Sequence, residues 1–146
     1  MSFWKIILPL ATTNLVTNPS FETATTGWTA VGGSIASNTT YNKWGARCLA
    51  VTPTSGTGDG VYFGTVSLTS GTTYTFSVWI KGVAAIPYKI YFADTSATLK
   101  GTAATHTGTG GWVRVTVSWA CDSTTTYRLY VIKDNHASTG VFYIDG

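Results

Sequence analysis

Six carboxylates, two histidines and two cysteines are the side chains here that do acid–base, nucleophilic or metal chemistry. Catalysis needs such groups to converge, and no two carboxylates stand at the spacing of an acid–base pair. His106 falls in the polar loop Thr105–Gly111 and His136 in Asp134-Asn-His-Ala-Ser138, so both read as exposed loop residues. No nucleophile elbow, HExxH helix or phosphate loop occurs. Cys48 and Cys121 lack the CxxC or histidine spacing of a zinc site and read as free thiols, with a disulfide as the alternative. An enzyme would require His106, His136 and Asp134 to meet in a cleft, so the chain is expected to be non-catalytic.

Another set of residues suits binding. Trp79, Tyr91 and Tyr130 alternate outward from strand-like runs expected in one sheet, beside Lys89, Arg114 and Arg128. Flat aromatic rings match the C–H faces of sugar rings while polar neighbours bond hydroxyls. The same stripe equally suits contact with a neighbouring protein.

The elements that must position these residues are strands. The 146 residues are 44% hydrophobic, 14% aromatic and 10% charged, which fits one domain able to bury its own core. Sixteen glycines lie among valine, tyrosine and threonine, a mixture that favours strands and tight turns and excludes a helical fold. Strand-like runs recur at Asn14–Val16, Gly33–Ser37, Cys48–Val51, Val61–Leu68, Thr73–Lys81, Tyr88–Ala93, Trp112–Trp119, Tyr127–Lys133 and Val141–Ile144. So many short strands imply an all-β, two-sheet antiparallel sandwich of jelly-roll type. Tyr74, Phe76, Val78 and Ile80 share a core face, as do Val113, Val115, Val117 and Trp119. The net charge of +3 is spread without a basic run, which argues against a nucleic-acid partner. No apolar run approaches the ~20 residues of a spanning helix, so no membrane partner is expected.

The order of several short motifs resembles carbohydrate-binding modules of families four and nine, jelly rolls related to galactose-binding domains. Asn14-Leu-Val-Thr-Asn-Pro-Ser-Phe-Glu22 with Thr26-Gly-Trp28 is similar to their opening. Trp44-Gly-Ala-Arg-Cys-Leu-Ala-Val51, Leu68–Lys81, Gly111-Trp-Val-Arg-Val-Thr-Val117 and Phe142-Tyr-Ile-Asp145 resemble later segments in the same order. The resemblance covers about residues 14–146. It implies a structural calcium held near the first-strand acid and the closing aspartate, positions taken by Glu22 and Asp145; the alternative is a turn cap and a solvated terminal residue. It also implies that Trp28, Trp112 and Trp119 pack at the core or rim, whereas Trp44 reads as loop-exposed.

Residues 1–13 read as an apolar arm preceding the module at 14–146. Its apolar stretch is short for a signal peptide and contains Pro9, which predicts a chain made without export. Phe3, Trp4, Ile6, Ile7, Leu8 and Leu10 would need a partner surface, and ten extended residues reach roughly 33–36 Å. Modules resembling this family also occur in tailed-phage virion proteins. The leading expectation is therefore a homo-oligomeric virion accessory protein, a capsid decoration or tail component that docks on neighbouring subunits and is assembled in the host cytoplasm. The alternative is an extracellular carbohydrate-binding module stacking glycan rings on its outward aromatics.

Overall fold

The structure, a computed structural model, describes residues 13–146. Its strands are β1 (Trp28–Val31), β2 (Ser34–Asn38), β3 (Cys48–Thr52), β4 (Gly60–Leu68), β5 (Thr73–Lys81), β6 (Pro87–Ala93), β7 (Leu99–Thr107), β8 (Trp112–Ala120), β9 (Thr125–Lys133) and β10 (Phe142–Asp145). They form two five-stranded sheets, ordered β1-β4-β9-β6-β7 and β2-β3-β10-β5-β8, with every pairing antiparallel. This is the expected β-sandwich.

Alternating residues from both sheets fill the space between them. Phe76, Val78 and Ile80 of β5 meet Ile90 and Phe92 of β6, with Leu129 and Val131 of β9 beside them, all buried. The core face read for β5 is thus observed, with Tyr74 half-buried against it. The chain crosses from the first sheet to the second at Gly32-Gly33, both at positive φ (64° and 73°). A side chain at Gly33 would collide with the carbonyl of Thr52, so the tight crossing requires glycine there.

Three local expectations differ from the structure. Asn14–Val16 is not a strand; the irregular segment before β1 instead inserts Phe21, fully buried, into the core. Asn18 holds this segment, its side-chain amide donating to the carbonyls of Thr23 and Ala24 while its oxygen accepts from the Thr23 N–H. β1 and β7, both edge strands, had no sequence expectation. His106, read as a loop residue, sits in β7 opposite Tyr88, because β6 extends its pairing as far as Thr107. The arm residues Phe3, Trp4, Ile6, Ile7, Leu8 and Leu10 lie outside the described residues.

Candidate functional site

The aromatic residues on the outer face of the first sheet are set by register. Tyr62 on β4 lies directly opposite Tyr130 on β9, which lies opposite Tyr91 on β6, so three tyrosines form one row across three hydrogen-bonded strands. Tyr91 and Tyr130 have ring centroids 5.0 Å apart at 7°, and Tyr62 and Tyr130 are 5.2 Å apart at 30°. Rings so close and nearly parallel cover one another's faces. That is why Tyr91 and Tyr130 are only 8% and 5% exposed although no further layer of the described residues lies above their sheet. The face stacking of sugars expected for these two residues gives way to a surface of ring edges and hydroxyls. None of the three hydroxyls has a hydrogen-bond partner among the described residues. Burial, then the neighbouring Tyr130, pushes the Tyr91 hydroxyl up to about 12, so it remains a proton donor at physiological pH.

Cations flank this row. The Arg128 guanidinium lies 4.7 Å from the Tyr62 ring centroid and donates to the Thr95 carbonyl at 2.9 Å. Lys89 Nζ lies 5.9 Å from the Tyr91 centroid and pairs with Asp134 at 2.9 Å, while Lys100 pairs with Asp94 at 3.4 Å. Both lysines are therefore largely neutralised. In the neighbouring row Gly60 stands opposite Ile132, and a side chain there would strike β9. Val31 on one edge strand and Ala103 on the other pack against the cluster and bound it laterally. Sequence reasoning passed over Tyr62, although the alternation of Val61 and Phe63 with Tyr62 marks it as outward.

Trp79 and Arg114 do not join this site. Their strands, β5 and β8, belong to the second sheet, so the residues expected on one surface divide between opposite faces of the sandwich. Alternation states which side chains leave the core; it carries no information on the sheet from which they leave. On the second sheet Trp79 stands between Asp145 and Arg114, and in the adjacent row Lys81 stands between Tyr143 and Trp112. The loop between β2 and β3 folds over these rows, with Tyr41 4.6 Å from Tyr143 and Trp44 6.4 Å from Trp79. Trp44 is 55% exposed, as its loop position implied, whereas Trp28 and Trp119 are core residues and Trp112 is half-buried.

Glu22 and Asp145 grip that loop from beneath. Asp145 Oδ2 accepts the N–H groups of Lys43 (2.7 Å) and Trp44 (2.9 Å), and Glu22 Oε1 those of Ala46 and Arg47 (both 3.0 Å). Asp145 is fully buried rather than solvated, and its Oδ1 has no partner. Burial raises its pKa, and the Glu22 charge raises it further against the lowering effect of the backbone N–H groups. An orphaned buried carboxylate oxygen beside a second carboxylate fits an oxygen-seeking divalent cation, the other ligands being carbonyls or water. Among the described residues no three His, Cys, Asp or Glu gather, so such a site has two carboxylates at most.

Among the described residues, His106, His136 and Asp134 do not gather into one cluster. Asp134 is engaged by Lys89, and His136 Nδ1 accepts the Ser138 N–H at 3.1 Å. His106 lies on β7. Cys48 and Cys121 are free and buried, and burial, with the Asp145 charge adding to it, pushes the Cys48 thiol up to about 11.

The family model of a carbohydrate binding domain, of families four and nine, matches residues 13–139. Among solved structures, the C-terminal family 22 carbohydrate binding module of Clostridium thermocellum Xyn10B is 24% identical over 87% of this chain and 86% of that one, with a TM-score of 0.64. The CBM22-2 xylan-binding domain from Paenibacillus barcinonensis Xyn10C is 21% identical over 87% and 93%, with a TM-score of 0.67. TmCBM61, solved with beta-1,4-galactotriose, is 16% identical over 92% and 95%, also at 0.67. At these identities the structural likeness establishes the fold. No curated protein matches the chain. The comparisons favour the glycan-binding alternative, and the virion reading finds no support among them. With its sandwich and nearly its whole described length matched, the chain belongs to the carbohydrate-binding domain family.

Proposed function

We propose that the chain is a non-catalytic carbohydrate-binding module acting outside the cell, and that the outer face of the first sheet takes an uncharged polysaccharide. The observation that supports this is the in-register row Tyr62–Tyr130–Tyr91, whose hydroxyls have no hydrogen-bond partner among the described residues. Ring edges give the apolar contact, and hydroxyls with Arg128 give hydrogen bonds to sugar hydroxyls. Because Lys89 and Lys100 are paired with carboxylates and the Arg128 guanidinium is held by the Thr95 carbonyl and the Tyr62 ring, the face favours neutral over acidic chains. The fold is shared with a family 22 domain described as xylan-binding and with TmCBM61, solved with beta-1,4-galactotriose, which makes xylan and β-1,4-galactan the first probes.

The test is affinity electrophoresis in gels containing either polysaccharide, followed by calorimetry on the one that retards the protein. Tyr62→Ala is expected to weaken binding about tenfold, the scale of one aromatic anchor. Retention that Tyr62→Ala leaves unchanged would remove the site from this face.

Glu22 and Asp145 are proposed to hold a calcium ion. Its charge would neutralise the two carboxylates, while their engaged oxygens continue to fix the Lys43–Arg47 backbone.

A further inference from the structure

The outer face of the second sheet differs in charge from the first. Lys43, Lys81 and Arg114 gather there, and none forms an ion pair with a carboxylate among the described residues. Lys43 Nζ lies 4.5 Å from the Trp79 ring centroid and 5.1 Å from that of Trp44, and Lys81 Nζ 5.7 Å from that of Tyr41. Lys81 otherwise donates to the Gly110 carbonyl, and Arg114 to Ser77 Oγ at 2.8 Å. The carboxylate of Asp145 is fully buried beneath the loop. Glu22, beneath the same loop, accepts the N–H groups of Ala46 and Arg47 at Oε1.

These cations interleave with exposed aromatic surface. Trp44 and Tyr41 are 55% and 44% exposed, and Trp79 and Tyr143 are half-buried beneath them. Gly146 lies against the edge of the tryptophan pair: a Cβ there would sit 3.4 Å from Trp44 and 3.9 Å from Trp79. Gly146, Arg114 and Ser77 also border a hollow of about 680 Å³, so the patch adjoins a concavity rather than ending on a flat sheet.

From this charge and shape we infer a second ligand site, centred on Trp44, Trp79, Lys43, Lys81 and Arg114, that takes an acidic, uronate-bearing polysaccharide. Uronate carboxylates complement the unpaired cations, and the C–H faces of the same sugars suit the tryptophans. A second copy of this chain is a poor occupant, because a two-fold contact would bring six like charges together. Single-stranded nucleic acid also joins stacking to cation contacts. It calls for cations tracking a backbone, whereas Lys81 and Arg114 lie in two adjacent rows and Lys43 in the loop that folds over them.

The test is electrophoresis of the intact chain at low salt in gels containing polygalacturonate, with neutral β-1,4-galactan and oligo(dT) as parallel probes. Retardation by polygalacturonate should fall as salt rises. Trp44→Ala, at an exposed position where folding is not at stake, should weaken it about tenfold. Lys43→Gln combined with Lys81→Gln should abolish it, and Tyr62→Ala should leave it unchanged. Wild-type protein that ignores polygalacturonate would overturn the proposal. So would retardation that survives Trp44→Ala, disappears with Tyr62→Ala, or is matched by oligo(dT). Neutral-glycan binding lost through Tyr62 alone reports on the first face separately, so either site can fail without the other.

Discussion

Tyr130 occupies the middle of the tyrosine row, where its ring does two jobs with different sensitivities. Its faces are spent on Tyr62 and Tyr91, and its hydroxyl has no partner among the described residues. Tyr130→Phe keeps the stack, so Tm should hardly move while glycan affinity drops several-fold. Tyr130→Ala opens a gap between two rings and should cost roughly 3 kcal/mol in denaturant unfolding as well as abolishing binding. If Tyr130→Phe binds as well as the wild type, the hydroxyl contributes nothing. Cys48 shows the opposite use of burial: with its thiol pushed to about 11, it stays protonated and enclosed. Thiol reagents at pH 8 should leave it unmodified in folded protein and label it in denaturant; labelling at the native rate of an exposed thiol would contradict that enclosure. Three of the four residues now in the tyrosine site, Tyr91, Tyr130 and Arg128, were legible from alternation. Tyr62 was equally legible, but only once β4 is read as two-faced.

At the scale of elements, strands with clean alternation could be read nearly to the residue, as β5 shows. β7, Leu-Lys-Gly-Thr-Ala-Ala-Thr-His-Thr, could not, because it is an edge strand with few apolar residues and a glycine at positive φ where its register shifts against β6. The Thr39–Arg47 loop was readable only as a loop, since what shapes it comes from Glu22 and Asp145, remote in sequence. That clasp has a pH signature. The Asp145 pKa is raised in the fold, so without metal its stabilising contribution is complete below the ordinary carboxylate range and is lost as pH climbs through the raised value. In chelator, Tm should therefore fall as pH rises from about 4 through that value, and Asp145→Asn should flatten the slope. Calcium near neutral pH should raise the Tm of the wild type and not that of Asp145→Asn. A wild-type Tm indifferent to both calcium and chelator would leave Glu22 and Asp145 with the loop clasp alone.

On the scale of the whole molecule, the split of one expected site into two faces follows from topology. Pairing places β6 with β9 and β5 with β8, and this long-range choice decides which outward side chains become neighbours. The same topology puts the last strand in the middle: β10 bonds both β3 and β5, and Phe142 and Ile144 are fully buried. A chain ending at Val141 would leave two half-sheets with unpaired inner edges, an opened core and no Asp145 beneath the Lys43–Trp44 loop. Such unsatisfied backbone groups and lost apolar burial together exceed what a domain of this size holds in reserve. Truncation there should abolish the cooperative thermal transition, together with binding at both faces, whereas removing Gly146 alone should preserve folding and alter only the tryptophan edge. A sharp transition retained after removal of residues 142–146 would mean that the first sheet, with β5 and β8, can close a core unaided. The central place assigned to β10 would then count for little in stability.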